Sequence, residues 1–433
     1  MQKQELCMAI DAKKEYIFSI CNQILNTPEL GYAETQTRAL VVREMQKIGL
    51  TEITGCGITG VKACLRGKPG GVHIAIIGEL DAVLSPQHPH ADASTGAAHA
   101  CGHNVQIGEM LGLAAALAPF AGELCADVFF FAVPAEEYIE INHRLALRNA
   151  GKIEFLGGKQ QLLCEGAFDD IDLAMMVHAE TDRDEPPVVT HATACGFIGK
   201  TVQFIGKEAH AGGAPYLGVN ALNAAALAIL AVHTQRETFR DEDHVRVHPI
   251  ITKGGDVVNT VPADVRMESY VRAGNVAAMK SANATVNRAM QGAAFSCGAD
   301  IKINDLPGYL PLRQNAAMSD LFAENAVALL GARAVERGGD FSGSTDMGDL
   351  SAIIPAIQPS VSGFSGALHS KNFTMCDAQL AAIVPAKLMA MTLFDLCEND
   401  AQAARKIIAA FPRKSATEFR AIWQAILQPV TDV

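Results

Sequence analysis

The chain has 433 residues, of which 49% are hydrophobic and 19% are charged, so it can bury a large core and should form two or three domains. Its net charge of −12 argues against a nucleic-acid or membrane-surface role. Eleven scattered cysteines, an odd number, are typical of mostly reduced, buried thiols in a cytoplasmic protein rather than of a disulfide framework.

In chain order, the first half alternates helix and strand patterns. The N-terminal segment is charged and amphipathic, and no stretch reaches about 18 apolar residues, so we expect neither a signal peptide nor a transmembrane helix. The patterns predict helices over 5–26, 35–48 and 104–119 and buried strands over 72–77, 127–133 and 172–177. Apolar strands separated by helices favour a sheet covered on both faces. The chemistry of such sheets gathers at strand ends, where we find Asp81, Glu136, Glu137 and His178.

The pattern changes near residue 193. Strands over 196–205, 246–252, 264–272 and 299–304 and helices over 218–235 and 274–294 follow in β-α-β-β-α-β order, which predicts a ferredoxin-like α+β insert. After about residue 305 the α/β character returns, with a helix over 315–330, a strand near 357–362, and helices over 378–397 and 400–428. The sequence therefore predicts one α/β domain formed by 1–192 and 305–433, interrupted by an inserted domain over 193–304.

A thiol and an imidazole stand two residues apart at Cys101 and His103, a spacing that would place both side chains on one side of an extended loop. Thiolate beside imidazole favours zinc, and manganese, cobalt and nickel remain open. His99 shares the spacing and is either structural or a support for a ligand. Any one of these residues alone is more often structural, but several ligand types at strand ends favour a metal site.

Two adjacent glutamates, Glu136 and Glu137, follow a buried strand, where a lone carboxylate is costly. Neighbouring side chains on a strand point in opposite directions, so one carboxylate can bind metal while the other faces a bound water. The alternative is a solvated pair that opens a loop. His178 is suited to be a ligand but could equally be a hydrogen-bonded core histidine, and His369 has only its loop context to mark it.

The chain resembles the metallopeptidase and aminoacylase family, which includes carboxypeptidase G-type enzymes, aminoacylases and dipeptidases, and within it the cysteine-containing amidohydrolase branch with the aminobenzoyl-glutamate hydrolase-like proteins. The resemblance covers residues 10–395 and rests on Gly78-Glu79-Leu80-Asp81-Ala82, His99-Ala100-Cys101-Gly102-His103-Asn104, Pro134-Ala135-Glu136-Glu137, Val177-His178-Ala179, Ala209-His210-Ala211-Gly212-Gly213-Ala214-Pro215, Asn259-Thr260-Val261-Pro262 and Leu368-His369. It implies a zinc-peptidase-like α/β catalytic domain, with a mixed sheet covered by helices, and an inserted ferredoxin-like dimerisation or lid domain.

The resemblance also implies a site with two divalent metal ions per subunit. Its metal ligands would be Cys101 as the bridge, His103 and His178 on one ion, and Glu137 and His369 on the other. Glu136 would be the general base, and Asp81 would orient a ligand.

In the inserted domain, the resemblance assigns His210 to oxyanion stabilisation and substrate binding in the active site of the partner subunit, which implies a homodimer through this domain. Asn259 and Arg272 would bind the substrate carboxylate, since a guanidinium fork suits a carboxylate. From the residues alone, His210 is a surface-loop histidine and Arg272 could be a solvated arginine at a strand end. The implied partner is a small-molecule N-acyl amino acid or dipeptide, with no nucleic acid and no membrane.

Three hypotheses follow from the sequence. The first is a dinuclear metal amidohydrolase that cleaves the amide of an N-acyl or aminoacyl amino acid. The second is a non-catalytic metal-binding or regulatory dimer that retains the fold, and the third is a structural protein with one closed zinc site. Intact Glu136 and the surplus of ligands favour the first. The residues leave open the acyl group, the amino acid, the native metal, and whether the segment 138–166 shapes the pocket or forms a surface helix.

Overall fold

A computed structural model describes residues 2–183 and 185–428. The chain forms two compact units. The first comprises the residues up to Ala192 together with Arg313–Gly339 and Asp349–Phe419, and the second comprises Thr193–Leu312, Asp340–Gly348 and the residues from Arg420 onward. The second unit thus contains the predicted insert and three further segments.

The secondary structure of the described residues is as follows. The α-helices are α1 (Lys3–Asp11), α2 (Lys14–Leu25), α3 (Thr35–Ile48), α4 (His103–Leu117), α5 (Ile141–Asn149), α6 (Gly158–Cys164), α7 (Ala221–His233), α8 (Val276–Ser296), α9 (Ala316–Leu330), α10 (Met347–Ser351), α11 (Val384–Ala410) and α12 (Ala416–Leu427). The strands are β1 (Thr51–Cys56), β2 (Gly60–Leu65), β3 (Val72–Glu79), β4 (Val83–Leu84), β5 (Ala97–Ala98), β6 (Ala126–Val133), β7 (Leu173–Met175), β8 (His178–Thr181), β9 (Val188–Thr190), β10 (Thr193–Ala194), β11 (Gly196–Ile205), β12 (Arg246–Lys253), β13 (Asp264–Ala273), β14 (Asp300–Tyr309), β15 (Val335–Arg337), β16 (Asp340–Phe341), β17 (Ala356–Ile357), β18 (Ser360–Ser365) and β19 (Thr374–Met375).

The main sheet of the first unit is mixed and has the strand order β1-β2-β6-β3-β7-β17. Strands β6, β3, β7 and β17 are parallel, whereas β1 and β2 form an antiparallel hairpin at one edge. β3 and β6 are buried along nearly their whole length, which explains their continuous apolar sequences. In register, Glu79 at the end of β3 lies opposite Val133 at the end of β6. The carboxyl ends of these strands therefore meet at one edge of the sheet.

Helices α1, α2, α3, α4, α9 and α11 pack around this sheet in the first unit. α4 is buried along almost its whole length because it packs against β3 on one side and against α2 and α11 on others. A second sheet pairs β15, β9, β18 and β19, and β8 joins it through β18, with Ser360 opposite His178. β8 follows β7 after two residues, so His178 lies just beyond the carboxyl end of β7, near the ends of β3 and β6.

The second unit contains an antiparallel sheet with the strand order β12-β13-β11-β14. Helices α7 and α8 pack against it over an apolar core of alanine, valine, methionine and phenylalanine. The order of elements along the chain is β-α-β-β-α-β, so this part of the chain has the ferredoxin-like arrangement that the sequence predicts. β12 lies at the edge of the sheet.

The prediction of one helix over 5–26 was wrong. α1 and α2 separate at Ala12–Lys13, because α1 packs against α11 whereas α2 packs against α4. The predicted break between helices near 397–400 is confirmed as a kink within α11 at Glu398–Ala401, where the backbone leaves helical angles. The predicted helix over 400–428 is wrong, because it is divided between the end of α11 and α12. The hairpin β1–β2 was not predicted. The segment 138–166, for which a surface helix was one alternative, forms the helices α5 and α6, and α6 is mostly buried.

Two helical segments, His103–Glu123 and Gln379–Ala410, are long and apolar enough to cross a membrane by length and composition alone. Most of each segment is buried inside the fold. Their apolar character is accounted for by the core that they form.

Candidate metal centre

The first group of possible metal ligands joins Cys101, His103 and His178. Their ligand atoms all lie within 4.8 Å of one another, and Cys101 Sγ is 3.5 Å from His178 Nε2. The prediction of an extended loop between Cys101 and His103 was wrong. Gly102 has φ +85°, His103 begins α4, and a Cβ on Gly102 would lie 2.9 Å from the Cβ of Ala179. The two side chains therefore converge through a left-handed turn that requires glycine.

The second group joins Cys101, Glu137 and His369, again with ligand atoms within 4.8 Å of one another. His369 Nε2 is 3.0 Å from Glu137 Oε1. The backbone N–H of His369 donates to the carbonyl of Ala100 at 2.8 Å, which ties this loop to the loop of the thiol. Because Cys101 belongs to both groups, its sulfur is placed where it could bridge two ions.

Asp81 supports residues of both groups. Its Oδ1 accepts the backbone N–H of Glu136 at 3.1 Å, and its Oδ2 accepts that of Glu137 at 2.9 Å. Its backbone carbonyl is 2.8 Å from His103 Nδ1. Since a carbonyl can only accept, Nδ1 carries the proton and Nε2 is the nitrogen left to bind a metal.

A third group, which the sequence did not predict, joins Glu79, His103 and Glu136. His103 Nε2 is 3.0 Å from Glu79 Oε2, and the buried ammonium of Lys159 lies 2.5 Å from Glu79 Oε1. Gln106 donates to the same carboxylate at 3.0 Å. Glu79 is therefore paired with a buried lysine, which cannot be a metal ligand while charged, whereas Glu137 is paired with His369, a possible ligand.

The charges in the site favour metal binding. Burial raises the pKa of the Cys101 thiol, but His178 and His103 lower it by more, so that its pKa lies well below the ordinary value. Burial lowers the pKa of His103, whereas Glu79 and Cys101 raise it well above the ordinary value. Burial also lowers the pKa of His178, and the nearby thiolate raises it overall. The site thus gathers a thiolate and carboxylates around His103 and His178. This concentration of negative charge favours a bound cation, which would replace the protons of the two histidines.

The residues present fit a metal centre. His103 Nε2 and Glu137 Oε1 are buried, and among the described residues neither has a hydrogen bond of acceptable geometry, although each lies near a group of opposite charge. Both atoms belong to residues of the two ligand groups. A sulfur, imidazole nitrogens and a carboxylate form a donor set suited to zinc and related divalent ions.

His99 stays outside these ligand groups. It is buried, and within the described chain neither ring nitrogen has a hydrogen-bond partner. Burial lowers its pKa to about 3, so the ring is neutral. His99 belongs to none of the three ligand groups, and both predicted roles, structural or as support for a ligand, stay predictions.

The predicted substrate residues His210, Asn259 and Arg272 belong to the second unit. His210 is exposed, and its Nδ1 accepts the backbone N–H groups of Gly212 at 3.2 Å and Gly213 at 2.9 Å. The ring proton of a neutral His210 therefore sits on Nε2, which is left as a donor. Asn259 is its neighbour, because the Asn259 carbonyl accepts the N–H of Ala211 at 2.9 Å.

Arg272 lies elsewhere in the same unit. It stands near the end of β13, whereas Asn259 precedes the start of that strand, so eight strand residues, about 27 Å, separate the two ends. Arg272 donates to Ser344 Oγ at 2.6 Å and stacks 5.3 Å from the ring of Phe197. It is half-buried, unlike the solvated strand-end arginine that the sequence left as an alternative. Within one chain, Arg272 and Asn259 do not meet.

Sequence reasoning missed the buried charges that support the site, Glu34, Arg144 and Lys159. All three are fully buried, although charged residues are usually exposed in folded proteins. The local sequence of Lys159, with two glutamines after it, resembles a solvated helix. Their roles depend on partners distant in sequence, and no local pattern identifies them.

The fold and the paired ligand groups define a metallohydrolase-like α/β protein with a ferredoxin-like insert. Residues 75–386 match the model of peptidase family M20/M25/M40. This match covers more than half of the chain, so the protein belongs to that family and is a hydrolase of peptide or amide bonds.

Relatives and solved structures agree with the family. The mouse Xaa-Arg dipeptidase is 31% identical over 419 residues, which cover 91% of this chain and 88% of that protein. The N-acyl-L-amino acid amidohydrolase of Geobacillus stearothermophilus is 22% identical over 72% of this chain and 81% of its own. A crystal structure of a Bacillus subtilis dinuclear metal-binding peptidase of the M20 family has a TM-score of 0.67 at 21% identity, covering 90% of this chain and 99% of that one. The prediction of family and fold class from the motifs is confirmed.

Proposed function

We propose that this protein is a dinuclear metal-dependent peptidase or amidohydrolase that cleaves the amide bond of dipeptides or N-acyl amino acids with a free carboxylate. One observation carries the proposal: two ligand groups share Cys101, and Glu136 lies beside them without belonging to either. A single closed structural site would not need the second group or the additional carboxylate. The names of the dipeptidase and amidohydrolase relatives support the same class of substrate.

Two divalent ions in this site would polarise the scissile carbonyl and lower the pKa of the attacking water, and zinc fits the thiolate ligand best. Cys101, His103 and His178 would hold one ion, and Cys101, Glu137 and His369 the other. Glu136 is 8% exposed, and Asp81 accepts its backbone N–H. Burial and this hydrogen bond restrict the positions that its carboxylate can take. It would take the proton of the water and deliver it to the leaving amine nitrogen.

The substrate-binding residues of the second unit support a carboxylate-bearing substrate. Arg272 presents a guanidinium braced by Ser344 and by two aromatic rings, an arrangement that suits a carboxylate. His210 has its Nδ1 occupied by backbone N–H groups, which leaves its Nε2–H to act as an oxyanion donor. Because Arg272 and Asn259 lie at opposite ends of β13, we propose that each substrate is bound by Arg272 of one chain and Asn259 of another.

A homodimer through the second unit would supply both ends. β12 is an edge strand that leaves Ile250 and Ile251 exposed, and Leu230 on α7 is 63% exposed. An unpaired edge with apolar side chains is a common site of self-association. None of the eleven cysteines forms a disulfide, which supports the further proposal that the protein works in the reducing cytoplasm.

The first test is metal content together with hydrolysis. Protein purified without added metal is analysed for bound ions, stripped with a chelator and reloaded, and then assayed on dipeptides, including Xaa-Arg dipeptides, and on N-acyl amino acids. About two ions per chain and a restorable amide hydrolysis are expected. One tightly held ion without hydrolysis of any substrate in the panel would contradict the proposal and favour the non-catalytic or structural alternatives.

A further inference from the structure

The turn Ala135–Glu137, which carries both glutamates, is held on its carbonyl side by a buried arginine together with two backbone N–H groups, those of Gly158 and Ile139, which donate to the carbonyls of Ala135 at 3.1 Å and Glu137 at 2.9 Å. Arg144 of α5 donates to the carbonyl oxygens of Ala135 at 3.2 Å and Leu156 at 2.8 Å, and also to that of Glu137. The residue is fully buried. One guanidinium has five donors in a fixed plane, so a single side chain can fix three carbonyls at once. Arg144 is neither one of the proposed metal ligands nor the proposed general base.

The amide side of the same turn is held by carboxylates. Glu34, also fully buried, accepts the backbone N–H of Ala135 at 2.8 Å, and its other oxygen accepts the hydroxyl of Thr59 at 2.5 Å. Asp81 accepts the next two N–H groups, those of Glu136 and Glu137. Three consecutive amides therefore donate to two buried carboxylates, while the carbonyls on either side of Glu136 accept from one guanidinium.

The backbone of the turn needs such support. Ala135 has φ +53°, a left-handed conformation that is unfavourable for a residue with a Cβ and persists where its surroundings hold it. The packing is close: a Cβ on Gly31 would lie 2.4 Å from Arg144 Nη2 and 2.9 Å from Ala135 Cα. The turn is thus enclosed between a glycine backbone, the guanidinium and Glu34.

We infer that Arg144 and Glu34 are positioning residues that clamp this turn and keep the carboxylates of Glu136 and Glu137 in their separate places. The inference rests on the proposed function for its catalytic consequence, but the clamp itself is a property of the protein without metal. It also gives a role to α5, which lies in the segment 138–166. In this helix, the buried Arg144 supports the turn Ala135–Glu137.

The first test measures the turn directly. Amide hydrogen exchange on the metal-free protein should be faster across 135–137 in Arg144→Ala and Glu34→Ala than in the wild type. The matched control is Arg148→Ala, one turn later on α5, where the side chain is only half-buried. Wild-type exchange across the turn in both clamp variants would overturn the inference.

The second test uses turnover and chemical rescue. In Arg144→Ala we expect kcat to fall by about 10- to 100-fold with KM within about twofold of wild type, because the reacting groups are misplaced while substrate contacts remain. Guanidinium ion at non-denaturing concentration should restore part of kcat in Arg144→Ala. It should not restore kcat in Glu34→Ala, whose cavity lacks an acceptor rather than a cation.

Two outcomes separate this inference from the proposed function. If the wild type hydrolyses nothing in the panel, the proposed function fails, and the exchange experiment alone decides on the clamp. If the wild type is active and Arg144→Ala keeps its kcat, or changes only KM, the positioning role is wrong. Should Arg144→Ala fail to fold, Arg144→Lys replaces it, since lysine keeps the charge but can reach fewer carbonyls, and the same fall in kcat is expected.

Discussion

The adjacent Glu136 and Glu137 have different surroundings, although the backbone N–H groups of both donate to Asp81. Glu137 Oε1 is 3.0 Å from His369 Nε2, and a carboxylate oxygen of Glu137 lies within 4.8 Å of the Cys101 sulfur. Glu136 groups instead with Glu79 and His103. A ligand must keep its negative charge on the metal, whereas a general base must exchange a proton. Their positions therefore support a division of roles that adjacent residues could not reveal by sequence alone.

Replacement of Glu136 by glutamine tests this division. Glutamine keeps the size of the side chain but cannot take a proton, so kcat should fall by about 100- to 10,000-fold while the metal content stays at the wild-type value. The measurement is steady-state hydrolysis together with metal analysis of the same sample.

Glu137→Gln is the matched control, because it changes the neighbouring carboxylate in the same way. It should lose bound metal along with activity, since a neutral amide is a poor ligand. If Glu136→Gln loses the metal and Glu137→Gln retains it, the two glutamates have been assigned the wrong way round.

Arg272 belongs to the same scale, because its effect depends on one charge. Arg272→Ala should raise KM for substrates with a free carboxylate by about 10- to 100-fold, the value of a hydrogen bond between charged groups, with a much smaller change in kcat. Carboxyl-amidated analogues should be hardly affected. Arg266→Ala, on the same strand but paired with Asp264 and more exposed, is the control. Equal KM values for wild type and Arg272→Ala would remove Arg272 from substrate binding.

At the scale of elements, the site depends on parallel strands whose carboxyl ends coincide. β3 and β6 end together in register, and β7 continues into β8 beside them. Short loops after these strands therefore bring the residues around 79, 136 and 178 together. The start of α4 completes the set, because the left-handed Gly102 turns Cys101 toward the strand ends while His103 begins the helix.

This junction makes Gly102→Ala a specific test. The added methyl group meets the Cβ of Ala179 at 2.9 Å and forces alanine to φ +85°, so we expect a loss of about 1–3 kcal/mol in the free energy of unfolding and a weaker hold on metal. Denaturant unfolding of metal-free protein and metal titration measure the two effects. Gly122→Ala, where a Cβ meets nothing within 4 Å, should change stability by less than about 1 kcal/mol. Equal stability of both variants would exclude the strain at Gly102.

At the scale of the whole molecule, the site residues are divided between two compact units. The proposed metal ligands and Glu136 lie in the first, whereas the proposed substrate residues His210, Asn259 and Arg272 lie in the second. Under the proposed function, the separation of Asn259 and Arg272 along β13 requires a second copy of the chain to complete the site. The edge strand β12 is the surface at which we propose that this copy binds.

Subunit mixing tests this arrangement. Glu136→Gln and His210→Ala should each be nearly inactive alone, but a mixture that exchanges subunits should recover about a quarter of wild-type activity, since half of the dimers are mixed and one of their two sites is intact. The control mixes Glu136→Gln with Glu137→Gln, two changes in the same unit, which should not complement. No recovery from the first mixture would place His210 outside the partner's site.

The sequence by itself determined the parts that depend on local pattern and residue chemistry. Continuous apolar runs predicted β3 and β6, and the β-α-β-β-α-β order predicted the ferredoxin-like part of the second unit. The geometry of parallel strands predicted that Asp81, Glu136, Glu137 and His178 lie together at strand ends, whereas the full ligand set, which includes His369, came from the resemblance to the family.

Only the tertiary structure decided how those residues are held. The pairing of Lys159 with Glu79, and the clamp of Arg144 and Glu34 around Ala135–Glu137, join charged residues that no local pattern marks as buried. A buried charge is stable only through its partners, and those partners are set by the packing of distant segments.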